Sequence, residues 1–336
     1  MYCIFGSLTF YVFLYAFPDS QKVEPHHERR YVYPAVVGHR GSIYQYPENT
    51  IRSFLASYES GSDAVELDVF LLKCGTLVVF HGGGTDENPG HLQDYCNVDG
   101  VILDYTAIEA REQLQLNSNY AEFPCPKDTF DHTFAYIPTL EEVLYALKDT
   151  NTIIKIELKG VGTTVPVLNL VERMDMVNQC HFSSFAHERI ALVRQLHPER
   201  NVDGSHVYQT GALYADEIPD DFLEKGQAIG ADEIHLKYDT CTKDRVDQIR
   251  AAGMKSMCWF RGPIGMKEDV ETKYNDVWSE DAAMYDIVMR TGVDAMCVNK
   301  PGILAKLIAQ KKSNDKMVEM PMSTANNIIP MTIKAA

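Results

Sequence analysis

Cysteine is scarce in this 336-residue chain, with eight residues and none in a Cys-x-x-Cys pair. That spacing excludes the common zinc clusters and a dense disulfide framework. Basic residues are also in deficit, 31 Lys plus Arg against 47 Asp plus Glu, which leaves a formal net charge of −16 at neutral pH. Such a field repels phosphate backbones, so nucleic acid is excluded as an expected partner. A small phosphorylated ligand remains compatible if a metal or a few placed cations meet its charge locally. The chain has no Asn-x-Ser/Thr acceptor for glycosylation, no internal repeat and no low-complexity tract.

What is present is a globular composition, 45% hydrophobic and 23% charged, enough to bury a sizeable core. The length fits two average domains or one α/β barrel. Tyr2 to Phe17 is almost wholly apolar and ends at Pro18-Asp19-Ser20, which reads as a signal-like core or a short anchor, although shorter than the roughly 20 residues that span a bilayer. Membrane association through residues 2–17 is therefore one expectation. Lys22, Arg29 and Arg30 follow the run and favour a cytosolic downstream part if it is an anchor. Localisation stays open between the secretory pathway, a membrane and the cytoplasm. The sequence divides into this segment and linker over 1–30, a folded body over 31–311 and a tail over 312–336 expected to be disordered. Among the cysteines, Cys180, Cys258 and Cys297 lie in apolar runs and read as buried, whereas Cys74, Cys96, Cys125 and Cys241 have polar neighbours.

From Ala35 onward, short apolar or β-branched runs alternate with amphipathic stretches, the pattern of a parallel α/β fold. Strands are expected at Ala35–Gly38, Ala64–Phe70, Thr152–Leu158, His181–Phe185, Ser205–Gln209, Asp232–Lys237, Lys255–Phe260 and Asp294–Val298. Helical periodicity falls between them, from Asn49–Ser60 to Gly302–Gln310. Eight units of this kind predict a closed (β/α)₈ TIM barrel rather than an open sheet. Two features interrupt the alternation. Leu77–Phe80 follows the second strand closely, as a hairpin does, and a Gly-, Asn-, Asp- and Pro-rich insertion then runs from about 82 to 136 and reads as a cap.

The polar residues gather at the C-terminal ends of these strands, the face on which barrels build sites. Glu66 and Asp68 are two apart on one strand and so share a face, and Glu157 ends the next. Three carboxylates at one mouth repel one another and are costly to desolvate unless a cation joins them. An oxygen-only set selects a hard divalent ion, Mg²⁺ or Ca²⁺; pairing with Arg or Lys is the competing structural reading. His39 ends the first strand and His81 the hairpin, placing two groups suited to proton transfer beside the cluster. Arg40 and Lys159 supply cations there, for a phosphate or for ion pairing.

Gly38-His39-Arg40-Gly41, Pro47-Glu48-Asn49-Thr50, Val65-Glu66-Leu67-Asp68-Val69, Leu77-Val78-Val79-Phe80-His81, Ile137-Pro138-Thr139-Leu140, Ile156-Glu157-Leu158-Lys159 and Ser184-Phe185 arrive in an order that resembles the glycerophosphodiester phosphodiesterase family, from about Val36 to Leu307. The resemblance implies a TIM barrel with an inserted cap, a divalent metal, and hydrolysis of small glycerophosphodiesters to sn-glycerol 3-phosphate and an alcohol. By the same resemblance His39 and His81 are the acid/base pair, Glu66, Asp68 and Glu157 the metal ligands, Arg40 and Lys159 the phosphate-binding cations, and Trp259 the aromatic that packs on glycerol.

Three positions depart from the family pattern. Gly82 follows His81 where Asp is usual, leaving a contact to be supplied by Asp86 or lost. Phe260-Arg261-Gly262 replaces the usual Thr-x-Asn, and Asn299-Lys300-Pro301 ends the eighth strand, where Lys300 is expected to add charge at the mouth. The competing functions are a lysophospholipase D or a phospholipase C-like lipid phosphodiesterase, and a non-catalytic glycerophosphodiester-binding barrel. Which histidine is acid and which base, and the oligomeric state, are not fixed by sequence.

Overall fold

A computed structural model of the chain describes residues 33–84, 89–96, 98–116, 135–262 and 280–319. The apolar segment at 2–17, Asp86 and the last residues of the tail lie outside these. Eight parallel strands form the centre: β1 (Ala35–Gly38), β2 (Ala64–Leu71), then, beyond the hairpin strand β3 (Leu77–Val79) and a short ribbon of β4 (Gly83–Gly84) and β5 (Pro89–His91), β6 (Ile153–Leu158), β7 (Cys180–Ser184), β8 (Gln209–Tyr214), β9 (Glu233–Lys237), β10 (Lys255–Trp259) and β11 (Ala295–Val298). Pairing runs from β1 through β11 and back around to β2, and β1 also pairs with β2, so the sheet closes into the predicted barrel.

The chemistry of β2 shows how sequence sets the wall. Val65, Leu67 and Val69 alternate outward into a core shared with Phe54, Leu140 and Leu144 of the surrounding helices, which leaves Ala64, Glu66 and Asp68 on the opposite, interior face. Helices Ile51–Glu59 and Leu140–Leu147 start where a threonine hydroxyl accepts a backbone N–H of the first turn, Thr50 from Ser53 and Thr139 from Glu142. At Thr139 the Glu142 carboxylate returns the bond, a capping box. Each helix so anchored fixes the loop that precedes it, which is the loop carrying site residues.

Two expectations are corrected. The fifth barrel strand is Gln209–Tyr214, not Ser205–Gln209. Gly211 and Ala212 weaken the strand signal there, and the barrel requires Gly211, because a Cβ at that position would stand 2.4 Å from the His235 ring. The last helix runs from Pro301 to Glu319, past the boundary expected at Lys311. Cys96 and Cys241 are buried despite polar neighbours in sequence, as Cys180, Cys258 and Cys297 were expected to be, and all six described cysteines are free thiols.

The described part of the 82–136 insertion builds a core of its own, in which Leu92, Tyr95, Ile102 and Leu114 pack on Phe70, Val78 and Phe80 of the hairpin. The insertion is thus continuous with the barrel wall. No helix among the described residues is long and apolar enough to cross a membrane.

Below the mouth, the barrel interior holds a buried ionic cluster. Lys155 Nζ donates to Glu233 Oε2 at 2.7 Å, His235 Nε2 lies 2.7 Å from the same oxygen, and His181 Nδ1 is 3.5 Å from Oε1. Burial holds both imidazoles below their ordinary range, and although burial alone would raise Glu233, Lys155 and the two histidines outweigh it and hold the carboxyl well below. All three shifts make the native state bind fewer protons than the unfolded chain in acid, so their contribution is present above about pH 6.5 and lost as the pH falls. Lys155→Met should cost about 3–5 kcal/mol, measured by urea unfolding, because Glu233 is then a buried charge without its lysine. His235→Gln, which cannot take up a proton, should flatten the fall in stability between pH 7 and 5; an unchanged acid limb would refute the assignment.

Candidate active site

Every candidate residue from the sequence arrives at one end of the barrel. His39, Arg40, Glu66, His81, Glu157, Lys159 and Trp259 line a single cavity of about 210 Å³, and Asp68 lies directly behind it in contact with Arg40 and Lys159. Glu66, Asp68 and Glu157 are buried, and each presents an oxygen such that the three lie within 4.8 Å of one another. Burial first, and then the charges of Asp68 and Glu157, push the Glu66 carboxyl well above its ordinary range. For Asp68 burial acts in the same direction, but Lys159, His81, Arg40 and the Asn49 amide outweigh it and hold the group below. An all-oxygen, like-charged set of this kind fits a hard divalent cation.

The cations do not compete with that reading; they bracket the cluster. Arg40 Nη1 pairs with Glu48 at 2.9 Å, its Nε faces Asp68 at 3.6 Å, and its backbone N–H donates to Glu66 Oε2 at 3.1 Å. That last bond depends on a backbone turned to φ +53° at Arg40, and Asn49 is likewise left-handed at φ +56°, an uncommon conformation outside glycine. The Asn49 amide donates to Asp68 Oδ2 at 2.9 Å. Lys159 Nζ lies 3.4 Å from Asp68 and 3.8 Å from Glu157. Of the ion pairs anticipated with Glu66 or Glu157, Lys159 makes one, to Glu157; the Arg40 guanidinium pairs with Glu48 and Asp68 instead, and Asp68 is the carboxylate that the two cations share.

The histidines face this cluster from either side. His39 Nδ1 lies 2.8 Å from Asn299 Oδ1 and its Nε2 is 3.9 Å from Glu66. His81 Nδ1 lies 2.6 Å from the Gly82 carbonyl and 3.3 Å from the Tyr95 hydroxyl. A carbonyl only accepts, so His81 carries its proton on Nδ1 and leaves Nε2 bare. Burial and the Arg40 charge push His39 down to about 3, and burial with Arg40 and Lys159 holds His81 well below its ordinary range. Burial thus favours the uncharged form of both rings.

Glu48, Asn49, Tyr95 and Asn299 support the site without having been assigned a role from sequence. Glu48 and Asn49 were legible in principle, sitting inside Pro47-Glu48-Asn49-Thr50; Tyr95 and Asn299 become neighbours of the histidines only through the fold. Two departures resolve differently from expectation. The contact expected from an acidic side chain after His81 is made by the Gly82 carbonyl, and Lys300 does not charge the mouth, because its ammonium donates to the Glu280 carbonyl at 2.8 Å and covers the Tyr44 ring at 4.2 Å. Arg261 does line the cavity, paired with Asp216 at 3.2 Å. Trp259 is pinned by its indole N–H to the Tyr214 carbonyl at 3.1 Å and meets Phe185 edge to face at 5.7 Å.

The sequence profile of the Glycerophosphoryl diester phosphodiesterase family matches residues 39–303. The chain belongs to this family. Among curated relatives, a glycerophosphodiester phosphodiesterase of Caldanaerobacter subterraneus is 26% identical over 280 residues, covering 81% of this chain and 97% of the relative. Two solved structures share the fold. A phosphodiesterase of Oleispira antarctica, in complex with the product sn-glycerol-3-phosphate, is 23% identical with a TM-score of 0.64, covering 82% of this chain and 97% of that one. The glycerophosphodiester phosphodiesterase of Thermotoga maritima is 22% identical with a TM-score of 0.56, covering 84% and 100%. This glycerophosphodiester phosphodiesterase therefore has the barrel, the acidic cluster and the activity class that its family name carries.

Within the family pattern, Gly82 is the departure with a structural cause. Its φ of +65° turns the carbonyl back onto His81, and a Cβ there would stand 2.6 Å from Gly90 Cα. Gly82→Asp, the substitution toward the more usual residue, should destabilise the protein by more than about 1 kcal/mol in urea unfolding and lower turnover as the carbonyl leaves His81. A variant as stable and as active as the parent would contradict this reading.

Proposed function

We propose that this chain hydrolyses small glycerophosphodiesters to sn-glycerol 3-phosphate and an alcohol, with His39 and His81 as the acid/base pair. The observation that carries the proposal is that both imidazoles are tied back through Nδ1, to Asn299 and to Gly82, and open on one cavity beside three buried carboxylates. Each then has its Nε2 available to hold or move a proton. Arg40 and Lys159 are the chain's own cations for the phosphoryl oxygens, and Trp259 with Phe185 gives an apolar wall for the glycerol carbons. In the step itself an oxygen nucleophile forms a bond to phosphorus and gives its proton to one imidazole. The bond from phosphorus to the leaving alcohol oxygen breaks, and that oxygen takes the Nε2 proton of the other, which enters the step as the imidazolium, having gained that proton from water once the anionic diester is bound. Glu66, Asp68 and Glu157 would hold a divalent cation, Mg²⁺ or Ca²⁺, which when bound neutralises charge developing on the phosphoryl oxygens.

The size of the cavity favours a compact diester over an intact lipid, which is why the small-molecule reading is preferred to a lysophospholipase D or phospholipase C-like activity. Gly82, Gly83 and Pro89 of the insertion line it, which supports a cap that shapes the pocket for the alcohol. A non-catalytic barrel would not need two opposed imidazoles.

Chelation should abolish turnover of glycerophosphocholine, and Mg²⁺ or Ca²⁺ should restore it. In isothermal titration calorimetry with the metal alone, Glu66→Gln should lose most of the binding heat; a full signal would remove the metal assignment. His39→Ala and His81→Ala should each lower kcat by about two to four orders of magnitude with the fold intact. On bis(p-nitrophenyl) phosphate, whose leaving group departs without a proton, the variant lacking the acid should recover much of its relative rate and the other should not. Equal losses on both substrates would reassign the pair to positioning.

A further inference from the structure

Asn299 sits behind His39, wholly buried, and its surroundings leave its amide only one orientation. Its Nδ2 donates to the Glu280 Oε1 carboxylate oxygen and, at 2.9 Å, to the Arg261 carbonyl. Both of these partners accept and neither donates, so the atom facing them is the NH₂ and the atom facing His39 is Oδ1. An amide oxygen cannot donate. The His39 Nδ1 that meets it at 2.8 Å is therefore the protonated nitrogen, and the bare nitrogen is Nε2 on the cavity side.

Glu280 is what makes this arrangement single-valued. It is itself buried, and it grips Asn299 twice, since Oε2 accepts the Asn299 backbone N–H at 3.0 Å while Oε1 accepts the side-chain amide. The Tyr285 hydroxyl donates to Oε2 as well. Three donors converge on one carboxylate and favour its ionised form, against the burial that pushes the group up to about 7. We infer that Glu280 is a positioning residue for the reaction, setting through the Asn299 amide which nitrogen of His39 carries the proton. The inference rests on the reading of His39 as an acid/base group and adds to it a residue that never meets the substrate.

Glu280→Gln separates this role from simple packing, because the two ends of the carboxylate are not equivalent. The Oε2 end faces a backbone N–H that cannot reverse, so the glutamine oxygen must take that place and its NH₂ must take the Oε1 place. There it opposes the Asn299 NH₂, which keeps only the Arg261 carbonyl as acceptor, so the amide is no longer held to one orientation, and its turned-over form presents Nδ2 to His39 and requires the opposite tautomer.

The experiment is ¹⁵N NMR of histidine-labelled protein, with the His39 signals assigned from His39→Ala, alongside kcat and KM for glycerophosphocholine. The parent should show His39 protonated on Nδ1. E280Q should show the Nε2–H tautomer or a mixture, with kcat lowered about 10- to 100-fold, the usual scale for residues that orient a catalytic group, and KM changed less than threefold. The exchanged pair Glu280→Gln with Asn299→Asp, in which an amide now donates to a carboxylate that in turn accepts from His39, should restore the Nδ1–H tautomer and regain most of kcat. If E280Q does not fold, Glu280→Ala is read in the same way and should give mixed tautomers. Retention of Nδ1–H alone in E280Q or Glu280→Ala, or kcat of either within twofold of the parent, overturns the inference. A fully active His39→Ala would instead overturn the acid/base reading on which it stands, and the tautomer signal reports on Glu280 independently of that outcome.

Discussion

The mutual repulsion of Glu66, Asp68 and Glu157 is the constraint around which this molecule is organised. Three carboxylate oxygens within 4.8 Å are held out of water with donors and cations placed against them. Arg40 gives its backbone N–H to Glu66 and turns its guanidinium to Asp68, Lys159 spans Asp68 and Glu157, and the Asn49 amide adds a further donor to Asp68. Those supports in turn dictate the loop after β1. Arg40 and Asn49 take left-handed backbone conformations, and the Thr50 cap ties that loop to the first helix. Local strain of this kind persists only where surrounding contacts over-determine it, and here the acidic corner and its cations do so.

The barrel interior carries a second charged layer with a different balance. At the mouth, three carboxylates meet two cations and an opening to solvent. Lower down, Glu233 is met by Lys155, His181 and His235. The first arrangement leaves negative charge for a cation to complete, whereas the second is internally compensated. The two layers meet on β6, where Lys155 and Glu157 stand two apart on one face, so one period-2 alternation supplies stability and site together.

Much of this was legible along the chain because it is written in local order. The closed barrel follows from eight alternating units, and the acidic cluster follows from Glu-x-Asp on one strand and Glu-x-Lys on the next. What escaped has a common cause: partners that only the fold brings together. Gln209–Tyr214 hides as a strand because Gly211 is selected by the His235 ring across the barrel, not by strand propensity. Lys300 reads as a charge at the mouth until the Tyr44 ring and the Glu280 carbonyl claim it. Asn299 looks like a substituted acidic position, and its meaning appears only when Glu280 and Arg261 show which way its amide points.

The two histidines are held by different kinds of acceptor, and that difference reaches beyond the site. His39 leans on a side chain, Asn299, whose identity any codon change can alter. His81 leans on the main-chain oxygen of Gly82, an atom that every residue possesses, so only a change of backbone conformation can remove it. A substitution at Asn299 therefore changes the chemistry of the His39 support directly, whereas one at Gly82 reaches His81 only by moving the loop that carries the carbonyl.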